Sequence, residues 1–192
     1  MKTLNRFSFL CLSLLVAAGS LKTIDSVLSP RDAQAQDFES KKIVPFVPSP
    51  QDVVDKMIEL AGVKPGDVVY DLGSGDGRIV IAAAKKGAKA VGFDIDGDLV
   101  RESRANIQKA GVQNSAEIRQ QDILTVDLSG ASVVTMYLLP DVNLKLKPHL
   151  LSMLKPGSRV VSHAFDMGDW KPDKVERVNG RTIYLWTIPA QK

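Results

Sequence analysis

The sequence predicts an α/β fold: a mostly parallel sheet with helices on both faces and an antiparallel hairpin at its C-terminal end. Three observations carry this expectation. From residue 49 onward, short apolar runs alternate with stretches of helical period, the pattern of strand–helix–strand units. A glycine-rich turn, Gly73-Ser74-Gly75-Asp76-Gly77, directly follows the first apolar run. Near the end, Asn179-Gly180 separates two strand-like segments, and that dipeptide favours a two-residue hairpin.

The elements follow in order. A helix is expected from Ser49, with Ser49 as its cap, Pro50 in the first helical position and Asp52 as capping partner. Val53, Val54, Met57, Ile58 and Ala61 mark its apolar face, and Gly62 ends it. Strands are expected over 67–72, 90–95, 116–121, 133–138 and 159–165, with helices over 78–86 and 98–110 between them. Residues 141–154 are helical in character, but Pro148 lacks a backbone donor and clashes with the preceding turn, so a break is expected there. Segments 174–178 and 181–188 flank the hairpin turn. In a sheet built this way, ligands bind beyond the carboxyl ends of the strands, where the strand order reverses. The glycine turn lies at such an end.

The first 35 residues read differently. Lys2 and Arg6 precede an apolar or small-residue run over 7–19, shorter than the roughly 20 residues a spanning helix needs. A basic start, a short apolar middle and Ala33-Gln34-Ala35 before Gln36 describe a secretory signal peptide, or else an N-terminal anchor. Gly19 offers a second cleavage position. The expected organisation is a leader over 1–35, a linker or lid over 36–48, and one catalytic or binding domain over 49–192. The expected location is exported, either periplasmic or membrane-associated through the leader. Of 25 basic and 22 acidic residues, four and two fall in the first 35, which leaves 21 and 20, a net of +1. That balance, without a basic stripe, speaks against a nucleic acid partner. Cys11, the single cysteine, lies in the leader, so the remaining chain has no disulfide, thiol nucleophile or cysteine metal site.

The chemistry concentrates around the glycine turn. A dinucleotide fingerprint needs G-x-G-x-x-G, and Arg78 occupies its third glycine position. A phosphate-binding loop would need a following Gly-Lys-Ser/Thr, which is missing. The glycines still allow close backbone approach to a ligand, and amides at a helix start favour a carboxylate. Asp71 precedes the turn, Asp94 ends the second strand, where it suits a ribose diol, and Asp122 follows the third, within reach of an adenine amino group. An amino acid, a ribose and an adenine in that order describe S-adenosyl-L-methionine.

Asp71–Gly77 with Asp94 and Asp122 resembles the donor site of class I S-adenosylmethionine-dependent methyltransferases, which have a Rossmann-like sheet. FVPSP (46–50), the run over 71–96, VVTMYLLP (133–140) and the segment over 154–172 resemble the small Dot1-like, mitochondrial-type protein-lysine N-methyltransferases and their bacterial relatives. The chain departs from that group at Asp94, where many members carry Glu, at His163-Ala164, and over 166–169. The resemblance implies donor contacts from Asp71, Gly73, Gly75, Gly77, Asp94 and Asp122, with Pro48 in a lid. It implies an acceptor lysine on a protein. Tyr137, His163, Phe165 and Trp170 are candidate acceptor walls because they follow the fourth and fifth strands. Phe165 and Trp170 can equally be packing residues, and His163 a hydrogen-bonded core histidine. Transfer to a small molecule, or donor binding without catalysis, stays open at this point.

Overall fold

The computed structural model describes residues 45–190. The expected leader over 1–35, and the linker up to residue 44, lie outside the described residues. Strands β1 (Val68–Leu72), β2 (Lys89–Asp94), β3 (Ala116–Gln120), β4 (Val133–Met136), β5 (Arg159–His163), β6 (Lys174–Val178) and β7 (Arg181–Thr187) form one sheet in the order β3-β2-β1-β4-β5-β7-β6. The first five are parallel neighbours; β7 runs antiparallel to β5 and β6. The order reverses between β1 and β4, where a cleft opens beyond their carboxyl ends. Helices α1 (Gln51–Leu60), α2 (Arg78–Lys85) and α3 (Gly97–Lys109) cover one face through Val54, Met57, Val80, Ala83, Val100 and Ile107. Helix α4 (Pro140–Met153) covers the other, where Leu146 and Leu150 pack with Met136, Met167 and Trp186.

The hairpin forms as the sequence predicts. Asn179 and Gly180 take φ of 47° and 78°, the paired positive angles of the two-residue turn that matches strand twist.

Four local expectations need correction. Ser49 does not cap α1: Pro50 holds the cap position without a side-chain bond, and the Ser49 hydroxyl is instead engaged by His163, 2.8 Å away and 114 residues distant in sequence. Pro148 does not break α4, which runs continuously for 14 residues. Pro148 and Leu144, whose carbonyl loses its partner, are both exposed, so solvent can satisfy that carbonyl while Val142, Asn143, Leu146 and Leu150 hold both halves to the core. Strand β4 stops at Met136 rather than residue 138, because Tyr137 and Leu138 turn into the cleft ahead of Pro140. Strand β5 stops at His163 rather than residue 165, because Ala164 adopts a φ of 68° that no strand accommodates.

Candidate active site

A cavity of ≈ 400 Å³ lies at the switch point, walled by the glycine turn, by Asp94 to Asp96, by Asp122 and Ile123, by Tyr137 and Leu138, and by residues 45–49. The turn reaches across to β2, since the amides of Gly73 and Ser74 both donate to the Phe93 carbonyl, at 2.9 and 3.0 Å. Two of its glycines are required by geometry. Gly73 (φ +76°) and Gly75 (φ +52°) sit in the left-handed region; a Cβ on Gly73 would lie 2.7 Å from Leu138, and one on Gly75 would lie 2.4 Å from the Phe46 ring. Phe46 therefore rests on the turn, and the segment Pro45–Pro48 forms part of the cavity wall.

The acids are held in distinct ways. Asp71 is almost completely buried and accepts a 2.7 Å bond from the Thr135 hydroxyl on one oxygen. Its second oxygen has no hydrogen-bond partner among the described residues. Burial pushes its carboxyl up to about 7, against which the Thr135 bond works. Asp94 is buried and also raised by desolvation, opposed by the backbone amides it binds. It accepts Gly75 N–H at 2.8 Å and Asp96 N–H at 3.0 Å, one on each oxygen, and each oxygen keeps a second lone pair for a ligand hydroxyl. Asp122, just past β3, accepts the Leu124 amide at 3.0 Å and caps a short 3-10 turn over Ile123–Thr125.

The structure brings together Asp71, Gly73, Gly75, Asp94, Asp122, Pro48 and Tyr137 around one cavity. Gly77, His163, Phe165 and Trp170 stand apart from its lining. Gly77 (φ +81°) starts α2, where a Cβ would come within 3.1 Å of Ser103 on α3. It serves the close helix packing that the third glycine of a dinucleotide fingerprint would serve. His163 lies behind Tyr137, their ring centres 3.9 Å apart, and is nearly fully buried with Nδ1 paired to Ser49. Desolvation, with a lesser contribution from Arg181, lowers it to about 4, so it is neutral near pH 7. Trp170 packs on Trp186 at 5.7 Å on the α4 face of the sheet, its carbonyl accepting the Trp186 indole N–H. Phe165 stacks with Tyr137 at 6.4 Å.

Two polar residues outside the sequence expectation hold segments near the site. Arg78, the residue that breaks the dinucleotide fingerprint, pairs with Asp76 and donates to the Ser49 carbonyl at 2.7 Å. It thereby ties the wall segment to the glycine turn. Asn143 is buried beneath the turn that carries Phe165. No local pattern in the sequence marks either role, because both depend on partners brought in by the fold.

The cavity fits an S-adenosylmethionine-sized ligand on its own features. Bare backbone at Gly73 and Gly75 borders the cavity, where side chains would run into Leu138 and Phe46, and Asp71, a lining acid with one buried oxygen unpartnered among the described residues, suits a positively charged group. The fold and this site define a class I S-adenosylmethionine-dependent methyltransferase. Residues 71–174 match the ANTKMT methyltransferase domain. The chain is 49% identical over 155 residues to a protein-lysine N-methyltransferase of Saccharolobus islandicus (strain REY15A), covering 78% of this chain and 96% of that one. It is 34% identical over 177 residues to the ATP synthase C-subunit lysine N-methyltransferase of Mus musculus, covering 92% and 70%. Among solved structures, an RNA methyltransferase from Salinibacter ruber in complex with S-adenosyl-L-homocysteine is 56% identical, with a TM-score of 0.74 over 76% of this chain and 96% of that one. The chain belongs to the ANTKMT methyltransferase family, and its cofactor is S-adenosyl-L-methionine.

Proposed function

We propose that this enzyme methylates the side-chain amine of a protein lysine. The observation that carries the reading is the aromatic wall: Tyr137 lines the cavity at the end of β4 with Phe165 stacked beyond it. The lysine acceptors named for the Saccharolobus and Mus relatives support it. When bound, the cofactor supplies a methyl group on a sulfonium sulfur, which departs as a neutral thioether. Transfer would form the N–CH3 bond as the S–CH3 bond breaks, with the amine's proton passing to water, which leaves alignment as the chain's own task. Asp94 would receive the ribose hydroxyls, Asp122 the adenine amino group, and Asp71 with the glycine turn the amino-acid end. Pro48 and its neighbours, which wall the cavity, would border the donor. Tyr137 and Phe165 flank the acceptor stem, and their desolvation favours the neutral amine, whose lone pair the reaction needs. His163 supports Tyr137 from behind rather than exchanging protons, and Trp170 stays with the packing.

The first 35 residues act, in this reading, as a signal peptide or anchor that delivers the enzyme to the envelope, with membrane association through that segment. Fractionation with an antibody to the folded domain tests this: recovery of only cytoplasmic, full-length protein contradicts it.

The function test is incubation with methyl-labelled donor and envelope extract, followed by digestion and mass spectrometry. Label on a lysine ε-nitrogen supports the proposal. Label confined to RNA, the acceptor named for the Salinibacter relative, or to a small product overturns it.

A further inference from the structure

Two unusual features converge on one turn. Ala164 has a φ of 68°, one of two non-glycine residues in the left-handed region among those described. The Phe165 amide donates to the His163 carbonyl at 2.9 Å, closing a γ-turn of the positive-φ hand, the rarer and more strained form. Beneath it lies Asn143 of α4, fully buried. Its Nδ2 donates to Ser162 Oγ at 3.3 Å and to the carbonyls of Phe165 and Asp166 at 3.2 Å each. Ser162 Oγ adds a 2.6 Å bond to the same Phe165 carbonyl. The Asn143 side-chain oxygen is buried without a partner among the described residues. An apolar residue of similar size would avoid that unsatisfied acceptor. What the amide provides in exchange is the grip of its nitrogen on residues 165 and 166. Strain and an orphaned polar atom thus both serve the conformation that presents Phe165 to Tyr137.

We propose that Asn143 is a positioning residue for the acceptor side: from within α4 it holds the strained 163–166 turn and so sets where the Phe165 ring stands. The inference rests on the reading of Tyr137 and Phe165 as the acceptor wall.

The test uses the full chain labelled with 4-fluorophenylalanine, the Phe165 fluorine signal being assigned by its loss in Phe165→Leu. Asn143→Ala shifts that signal while S-adenosylhomocysteine affinity stays unchanged. Adding Ala164→Gly moves the signal back, because glycine adopts positive φ without strain. If Asn143→Ala does not fold, Ser162→Ala, which removes the second bond to the Phe165 carbonyl, shifts the same signal by a smaller amount. With Nα-acetyl-lysine methylamide as acceptor, Asn143→Ala raises its KM about tenfold with little change in kcat, and Ala164→Gly restores most of it. An unmoved Phe165 signal in both single variants overturns the inference, as does failure of Ala164→Gly to restore signal or KM. A wild-type enzyme that leaves the lysine amide unmethylated, with the fluorine shifts as described, contradicts the lysine reading and leaves the positioning role supported.

Discussion

Asp71→Asn should stabilise the ligand-free enzyme at alkaline pH while weakening its hold on the donor. The Asp71 carboxyl moves from 3.8 to about 7 on burial, so the folded state binds a proton that the unfolded chain has released between those values. Stability contributed by this site is therefore greatest below pH 4, falls as pH rises through that window, and is flat above pH 7. At 1.36 kcal/mol per pH unit, the ionised side chain costs about 4 kcal/mol at pH 8. Asparagine keeps an acceptor for the Thr135 hydroxyl, now bonded at 2.7 Å. Its amide hydrogens meet no partner where Asp71 Oδ2 has none, which returns about 1–3 kcal/mol of that gain. Urea unfolding at pH 8 should then show the variant more stable by about 1–3 kcal/mol. The advantage should vanish, or reverse, near pH 4. Calorimetry with S-adenosylhomocysteine at pH 8 should show weaker binding by the same variant. A variant less stable than wild type at pH 8, or a difference independent of pH, would refute the account of Asp71 as a carboxyl kept costly for a cationic ligand.

Three further outcomes are expected. Pro148→Ala should raise stability by about 2–3 kcal/mol in chemical unfolding, the helix-interior penalty of proline less the chain entropy it removes; a loss of stability would show that the proline-bearing form is needed. The folded-state value of about 4 for His163 lies below its ordinary 6.5, so stability from this site is lost as pH falls from 6.5 toward 4. His163→Asn should remove that part of the acid sensitivity, and equal slopes for both proteins between pH 7 and 4.5 would count against it. Pro48→Gly should loosen the wall segment and weaken donor binding by calorimetry; unchanged affinity would remove that segment from the donor site.

Much of the fold was legible because each signal was local. The apolar runs, the helical stretches and Asn179-Gly180 each depend on neighbours within a few residues, and the structure places them within one or two positions of expectation. Elsewhere, distant partners decide the local structure. Ser49 has the chemistry of a helix cap, yet His163 from β5 claims its hydroxyl. Pro148 has the chemistry of a helix breaker, yet the packing of Leu146 and Leu150 outweighs one lost bond on a solvated face. Around the cavity, Asp71, Gly73, Gly75 and Asp94 were legible because their spacing follows the ends of strands. Asn143 was not, since a single asparagine in an amphipathic helix carries no sign of the turn it will meet. Gly77 shows the remaining ambiguity: a glycine in a ligand-binding motif can serve helix packing instead.

Titrating S-adenosylhomocysteine into the wild-type enzyme and Gly75→Val decides whether the switch-point cavity holds the methyl donor. Valine at φ +52° would be strained and would displace the Phe46 ring. Saturable one-site binding by the wild type, lost in a variant that keeps its circular dichroism spectrum, is the predicted result. Undiminished binding by folded Gly75→Val, or no binding by the wild type, would contradict the claim.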